Sequence, residues 1–360
     1  MASPQGIQAL NFEKNRKWEE STRPKLSVVM IVHRRADLAS RAIASFREYC
    51  RGSDWELVLV VNGSSPAVLA FVNEQLRVDA YPLAAVFIEE CRPGAARNHG
   101  VRRARSPLLF FLDDDIECYQ DIASAAIELF HDPALQAAGG ANLTPPDSGA
   151  LARATGGMMA SLLGAASMRK RYRAGARDED ASEHGLILCN LAVRRTVFES
   201  ERGFATHMIS NEENVLLQRL EGKGARLRSS PRLAVYHCRR DTWSGLCSQA
   251  GKYGAGRAQN LLLLPETLSA LYFVPLFFLL YLLLLPVLSA IAGAQALLPL
   301  ALYAALVALH ALFLSLSERD PAHLLAVVIF PLVHLSYALG FARALALWSL
   351  RRKKLQEHAA

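Results

Sequence analysis

Leu108-Leu-Phe-Phe-Leu112, running straight into Asp113-Asp114-Asp115, is the stretch that decides how this chain folds. Five consecutive bulky apolar residues bounded by turn formers read as a fully buried strand. Three carboxylates then follow with no spacer. In open α/β sheets, ligands bind beyond the carboxyl ends of the strands, which makes an acidic trio at that end a candidate site. Like charges this close repel, and a divalent cation is their natural compensation. Carboxylate oxygens are hard donors suited to Mg2+ or Mn2+, which are often held by one or two carboxylates plus substrate phosphates. A solvated acidic turn is the plain alternative, and the surrounding sequence decides between them.

Outward from the trio, short apolar runs alternate with helical patterns, the signature of an α/β sheet. Leu26 to Val32 reads as a buried strand, followed by a helix from about Ala36 to Tyr49. Leu57 to Val61 is a second strand, ended by the turn Asn62-Gly63-Ser64-Ser65-Pro66. Ala84 to Ile88 is a third, and Pro93-Gly94 opens a helix reaching about Arg105. From about 140 to 185 the pattern weakens, which predicts a mobile linker, an acceptor loop or an amphipathic segment. Order returns with Leu186 to Val193, a helix around Asn211 to Glu221 and the strand Leu233 to His237. Gly251 to Gly256 carries three glycines and is expected to join this part to the next. No internal repeat is visible.

Seven motifs appear in order: Ser27 to His33, Glu56 to Ser64, Gly94-Ala-Ala-Arg97-Asn98-His-Gly100, Phe111 to Ile116, Cys189 to Arg195, Asn211-Glu212-Glu213 and Val235-Tyr-His237. Together they resemble a family 2 glycosyltransferase, over about residues 26–240. The resemblance implies an α/β domain of the GT-A type, a Rossmann-like nucleotide-diphospho-sugar transferase fold, followed here by an all-α transmembrane domain. It implies that Asp113, Asp115 and His237 hold Mn2+ or Mg2+ against a nucleotide diphosphate sugar. His33, Asn62, Arg97, Asn98 and Asp114 form the implied nucleotide-sugar set. Arg97 and Asn98 also lie in the first turns of the helix opened by Gly94, and a helix N-terminus favours anions. Glu212 and Glu213 resemble the acidic pair that supplies the catalytic base, with Glu213 where Asp is usual. Direct displacement at the anomeric carbon inverts its configuration. Val61 stands where an acidic residue commonly contacts the nucleotide base. Gln249 to Arg257 matches the Q-x-x-R-W of processive synthases only in part, so the expectation is one sugar per acceptor, as in exopolysaccharide-type transferases.

Composition divides the chain. No charged residue occurs from Thr267 to Ser317, a run of 51 residues, roughly 75 Å if helical and enough to cross a ~30 Å hydrocarbon core twice. Ala322 to Ala342 adds 21 more uncharged residues. The expected boundaries are a polar extension over 1–25, the catalytic domain over 26–257, spans over 258–350 (near 268–291, 296–317 and 322–342) and a basic tail over 351–360. Prolines 275, 286, 299 and 331 are expected to kink the spans. Three crossings would set Arg351 to Lys354 opposite the catalytic domain, against the positive-inside rule. Either one segment is re-entrant or interfacial, with Arg343 in an amphipathic end helix, or the rule fails here. Six scattered cysteines without a CxxC pair argue against zinc and fit a reducing compartment. Residues 1–25 lack the apolar stretch of an export signal. These features point to a multi-pass protein of the inner (plasma) membrane with a cytosolic catalytic domain.

The formal charge of +7 suits an anionic membrane face or a phosphorylated substrate. The expected partners are a nucleotide diphosphate sugar, a lipid-linked or glycan acceptor, the bilayer and other polysaccharide assembly proteins, with no nucleic acid. A non-catalytic sugar-nucleotide-binding or scaffold subunit is the competing reading, and paired charges for a transporter are missing from the spans.

Overall fold

The computed structural model of the chain describes residues 9–51, 54–63, 65–263 and 270–357. The chain forms two compact units. The first comprises Met1–Pro145, Ser167–His207 and Glu212–Cys238, and the second Pro146–Ala166, Met208–Asn211 and Arg239–Ala360.

The first unit is an α/β domain. Its strands are β1 (Ala9–Lys14), β2 (Leu26–Val32), β3 (Trp55–Asn62), β4 (Leu83–Ile88), β5 (Leu108–Leu112) and β6 (Ile116–Glu117). They continue with β7 (Leu135–Gly139), β8 (Asn142–Leu143), β9 (Glu179–Asp180), β10 (Asn190–Arg194), β11 (Arg226–Ser229) and β12 (Val235–His237). The large sheet has the order β1-β4-β3-β2-β5-β10-β7-β11-β9, and a small sheet has the order β6-β12-β8. Strands β4, β3, β2 and β5 are mutually parallel, while β10 runs antiparallel to both β5 and β7.

The central strands are apolar throughout because helices cover both faces. One face packs under Ala36–Tyr49, Pro66–Arg77 and Ile122–Leu129, burying Phe46, Leu57, Phe110 and Ile122. The other packs under Pro93–Val101, Arg195–Ser200 and Glu212–Gly222, burying Val29, Phe111, Phe198 and Leu216. The helix Pro93–Val101 lies directly on the sheet. A Cβ at Gly100 would stand 2.6 Å from Val29 Cγ1 and 2.7 Å from Val60 Cγ2. At the amino ends of the strands, the buried Glu56 carboxylate accepts from Ser27 Oγ, Arg105 N and Arg105 Nε, each at 2.6 Å. It ties β2 and β3 to the loop after that helix.

In the second unit, Trp243–Leu263, Val274–Ala292, Leu298–Ser317 and Ala326–Glu357 are helices. Gly293, at φ +59°, turns the chain between the second and third of these. Tyr281 Oη then donates to the Ala296 carbonyl at 2.7 Å, and Phe278 packs on Tyr303 with centroids 4.6 Å apart. Two apolar helical stretches, Ala270–Ser317 and Pro321–Trp348, are long and apolar enough to cross a membrane. Their large side chains stand open: Ile291 is 79% exposed and Leu316 70%. An apolar surface this extensive marks an interaction face rather than a water-facing one.

Three expectations change and one is narrowed. Gly251 to Gly256 is not a joint but part of the helix Trp243–Leu263. Its glycines let helices cross closely: a Cβ at Gly251 would meet the Ser336 carbonyl at 3.5 Å, and one at Gly254 the Phe341 nitrogen at 3.0 Å. The segment 140–185 narrows to its amphipathic alternative over the helix Ala150–Met159, which packs Ala154 and Met158 against Val307, Ile329 and Phe330. Arg153 there pairs with Asp320 at 2.7 Å. Pro275 and Pro299 fall in first helical turns, where the missing N–H costs nothing, so only Pro286 and Pro331 lie inside helices. Finally, Arg343 belongs to no separate end helix, because Ala326–Glu357 is continuous over 32 residues.

Gly100→Ala tests the helix-on-sheet contact. Overpacking at such a site costs about 1–3 kcal/mol, and the denaturant midpoint of the first unit's transition is expected to fall accordingly.

Candidate active site

The acidic trio occupies the step from β5 of the large sheet to β6 of the small one. The Asp113 N–H donates to the Cys189 carbonyl at 3.3 Å, which fixes the turn against the start of β10. Strand β12 then runs antiparallel to β6 with His237 opposite Ile116, and the Cys238 N–H donates to the Asp115 carbonyl at 2.8 Å. This register brings His237 Nε2 to 3.3 Å from Asp115 Oδ1. One ligand atom each from Asp113, Asp115 and His237 lie within 4.8 Å of one another. Two hard oxygens and one imidazole nitrogen at this spacing fit Mn2+ or Mg2+, and the nitrogen tilts the set towards Mn2+.

Arginines organise the carboxylates. Arg35 caps the start of Ala36–Tyr49 and reaches Asp114 at 2.5 Å and Asp115 at 2.6 Å. Arg97, on the helix Pro93–Val101, donates to Asp113 Oδ1 and to Glu212 Oε1, both at 2.6 Å. Glu212 and Glu213 begin the helix Glu212–Gly222 and are both buried. Arg171 donates to the Glu183 carbonyl and to Asn214 Oδ1, both at 2.6 Å, and lies 3.6 Å from Glu213 Oε1. The carboxylates sit in a strained electrostatic balance. Burial pushes the Asp114 carboxyl up to about 7, against the pull of Arg35. Burial also raises Glu212, opposed by Arg97 and reinforced by Glu213 and Asp113.

The residues expected from the sequence divide into two sets. Asp113, Asp114, Asp115, His237, Arg97 and Glu212 form one connected cluster through the contacts above, and Glu213 lies next to Glu212 beside Arg171. Asn62 and Asn98 spend their amides on backbone instead. Asn62 bonds the Cys91 N–H and carbonyl, both at 2.9 Å, and Asn98 clamps Phe204 at 2.9 and 3.0 Å. His33 Nδ1 meets the Asn62 carbonyl at 2.5 Å, and its Nε2 is 3.5 Å from Glu90. Arg35 and Arg171 were not anticipated. Arg35 stands three residues beyond β2, at the same strand ends as the acidic trio, and that position was the available signal. Arg171 lies in the aperiodic stretch, where no signal exists.

Residues 27–201 match the family described as "Glycosyl transferase family 2". No curated protein matches the chain in sequence. Among solved structures the fold is similar to mannosyltransferase PcManGT from Pyrobaculum calidifontis in complex with GDP-Man and Mn2+. That alignment has a TM-score of 0.55 and 17% identity, and covers 87% of this chain and 88% of that one. Residues 1–263 make up about 73% of the chain, so the alignment includes part of the C-terminal helices. S. aureus TarS aligns with a TM-score of 0.45 at 12% identity, over 66% of this chain and 43% of its own. Residues 27–201 are thus similar to glycosyltransferase family 2, and they lie on a GT-A-like α/β fold.

Proposed function

We propose that this protein moves a sugar from a nucleotide diphosphate sugar to a lipid-linked or polysaccharide acceptor at a membrane, inverting the anomeric centre and adding one sugar per acceptor. The observation that carries this reading is Arg97, which joins Asp113 to Glu212. One guanidinium links the candidate cation site to the candidate base pair, so donor and acceptor chemistry share a single cluster.

Asp113, Asp115 and His237 are the residues that would hold Mn2+ or Mg2+. When bound, the cation neutralises the diphosphate leaving group. The chain's own groups do the rest. Arg35 and Arg97 present guanidinium N–H groups where diphosphate oxygens would gather, and guanidinium is well suited to such oxygens. His33 lies at the ends of β2 and β3, and its partly open ring offers a surface for the nucleobase. Glu213 is assigned as the base that takes the acceptor hydroxyl proton, because its contact with Arg171 is loose whereas Glu212 is held short by Arg97. Glu212 then positions Arg97. The apolar stretches Ala270–Ser317 and Pro321–Trp348 anchor the protein in the membrane as a multi-pass chain with the domain on the cytosolic side.

The decisive experiment incubates membranes containing the protein with a panel of GDP-, UDP- and dTDP-sugars and Mn2+ or Mg2+. Release of nucleotide diphosphate from one donor supports the assignment, and none from any donor overturns it. Asp115→Asn is expected to weaken Mn2+ binding by about tenfold or more, followed by the free-ion signal in electron paramagnetic resonance. Glu213→Gln should lower kcat by roughly 10²–10⁴-fold with donor KM little changed. A variant with most of its kcat intact removes Glu213 from the base role.

Arg97→Met leaves buried carboxylates uncompensated and is expected to cost about 3–5 kcal/mol. The penalty depends on pH. Glu212 already titrates above its unfolded value, and losing the guanidinium raises it further. A carboxyl raised on folding is stabilising below its unfolded pKa, and that contribution is lost as pH rises through the folded pKa. The deficit should therefore be larger at about pH 8 than at about pH 5 in denaturant titrations, and an equal deficit at both would refute the charge argument.

A further inference from the structure

The second unit contains a polar cluster that the transfer chemistry leaves unused. The segment Met208–Asn211 is fastened along the helix Trp243–Leu263 at two points. Ser210 Oγ donates to the Lys252 carbonyl at 3.0 Å, and the Ile209 N–H donates to Gln259 Oε1 at 3.0 Å. Gly256, between them, makes this approach feasible: a Cβ there would stand 2.6 Å from Asn211 Nδ2. One helical turn on, Asn260 is 2% exposed, and neither its Nδ2 nor its Oδ1 has a hydrogen-bond partner among the described residues. Asn211 Nδ2 is likewise buried with none. Arg257, three residues before Asn260 and on the same side of the helix, is 6% exposed with its guanidinium 4.8 Å from the Tyr272 ring centroid.

Buried amides without partners are rare, because each loses its hydration for nothing. Asn211 at Gly256, Arg257 and Asn260 thus bring two unsatisfied amides and a guanidinium to one turn of the helix, donor chemistry suited to an anion. The helix Trp243–Leu263 carries Lys252 and Arg257 and no acid. Asn260 stands ten residues before Ala270, where the first apolar stretch begins. On the membrane reading proposed above, Asn260 is close in sequence to the start of a span, where lipid headgroups are met.

We propose that Asn211, Arg257 and Asn260 bind the phosphate of a lipid-borne acceptor and so anchor its carrier. Guanidinium and amide N–H groups supply the donors that phosphate oxygens need. Asn211 is joined directly to Glu212, so an occupied anchor sits one peptide bond from the acidic pair.

The test uses the full-length protein in phosphatidylcholine nanodiscs and follows the thermal unfolding midpoint. A polyisoprenyl monophosphate, phosphatidylglycerol and inorganic phosphate are added in separate arms. The polyisoprenyl monophosphate is expected to raise the midpoint by about 5 °C near saturation, with the other two leaving it in place. Asn260→Leu, similar in size but without the amide, should remove the shift. Asn211→Gly keeps the left-handed backbone while deleting its amide; it should diminish the shift, and it serves if Asn260→Leu does not fold. No shift in the first arm, an equal shift with phosphatidylglycerol or inorganic phosphate, or an undiminished shift in the variants overturns the site. Donor hydrolysis measured on the same nanodiscs separates the two proposals. Lipid shift without hydrolysis counts against sugar transfer alone, and hydrolysis without lipid shift counts against this anchor alone.

Discussion

Arg97 lies almost wholly buried between Asp113 and Glu212, and charge balance around it governs the rest of the site. Asp113, Asp114, Asp115, Glu212 and Glu213 face three guanidiniums, those of Arg35, Arg97 and Arg171. Burial raises the carboxyls of Asp114 and Glu212, and the neighbouring acids reinforce it against Arg35 and Arg97. Each arginine also belongs to a different element: Arg35 precedes the helix Ala36–Tyr49, Arg97 lies on the helix Pro93–Val101, and Arg171 lies in the stretch before β9. The fold holds the acids together because cations arrive from separate directions.

The architecture follows from a sheet buried on both faces. Strands covered on both sides must be apolar along their length, so β2, β3 and β5 could be read almost to the residue, and the abrupt change at Asp113 marked where the sheet ends. The small sheet was less visible. Its strands β6 and β8 are two residues each, too short for any periodicity, and only their pairing with β12 explains why His237 reaches Asp115. Asn62 and Asn98 show the limit of motif reasoning. Their positions belong to the motifs, but their amides serve Cys91 and Phe204 backbone, which a sequence does not reveal.

The second unit was harder to read for a physical reason. A glycine cluster has the same composition whether it loosens a linker or admits a neighbouring helix, and at Gly251 and Gly254 the neighbour is the helix Ala326–Glu357. The helix Ala150–Met159 carries a sparse apolar face because its partners lie more than 140 residues away, at Val307, Ile329 and Phe330. Local pattern cannot announce so distant a surface. The apolar stretches, by contrast, were evident, since nothing inside the protein covers most of their side chains.

The chain leaves the first unit after His207, enters the second for Met208–Asn211 and returns at Glu212. This excursion is short, and it ends with Asn211 in the left-handed region at φ +64°, a conformation asparagine tolerates better than most residues. Helix Glu212–Gly222 therefore starts from a turn that is fastened to the helix Trp243–Leu263 through Ile209 and Ser210. Within the first unit, Arg97 holds Glu212 at 2.6 Å, and the looser 3.6 Å contact with Arg171 leaves Glu213 the less constrained of the pair.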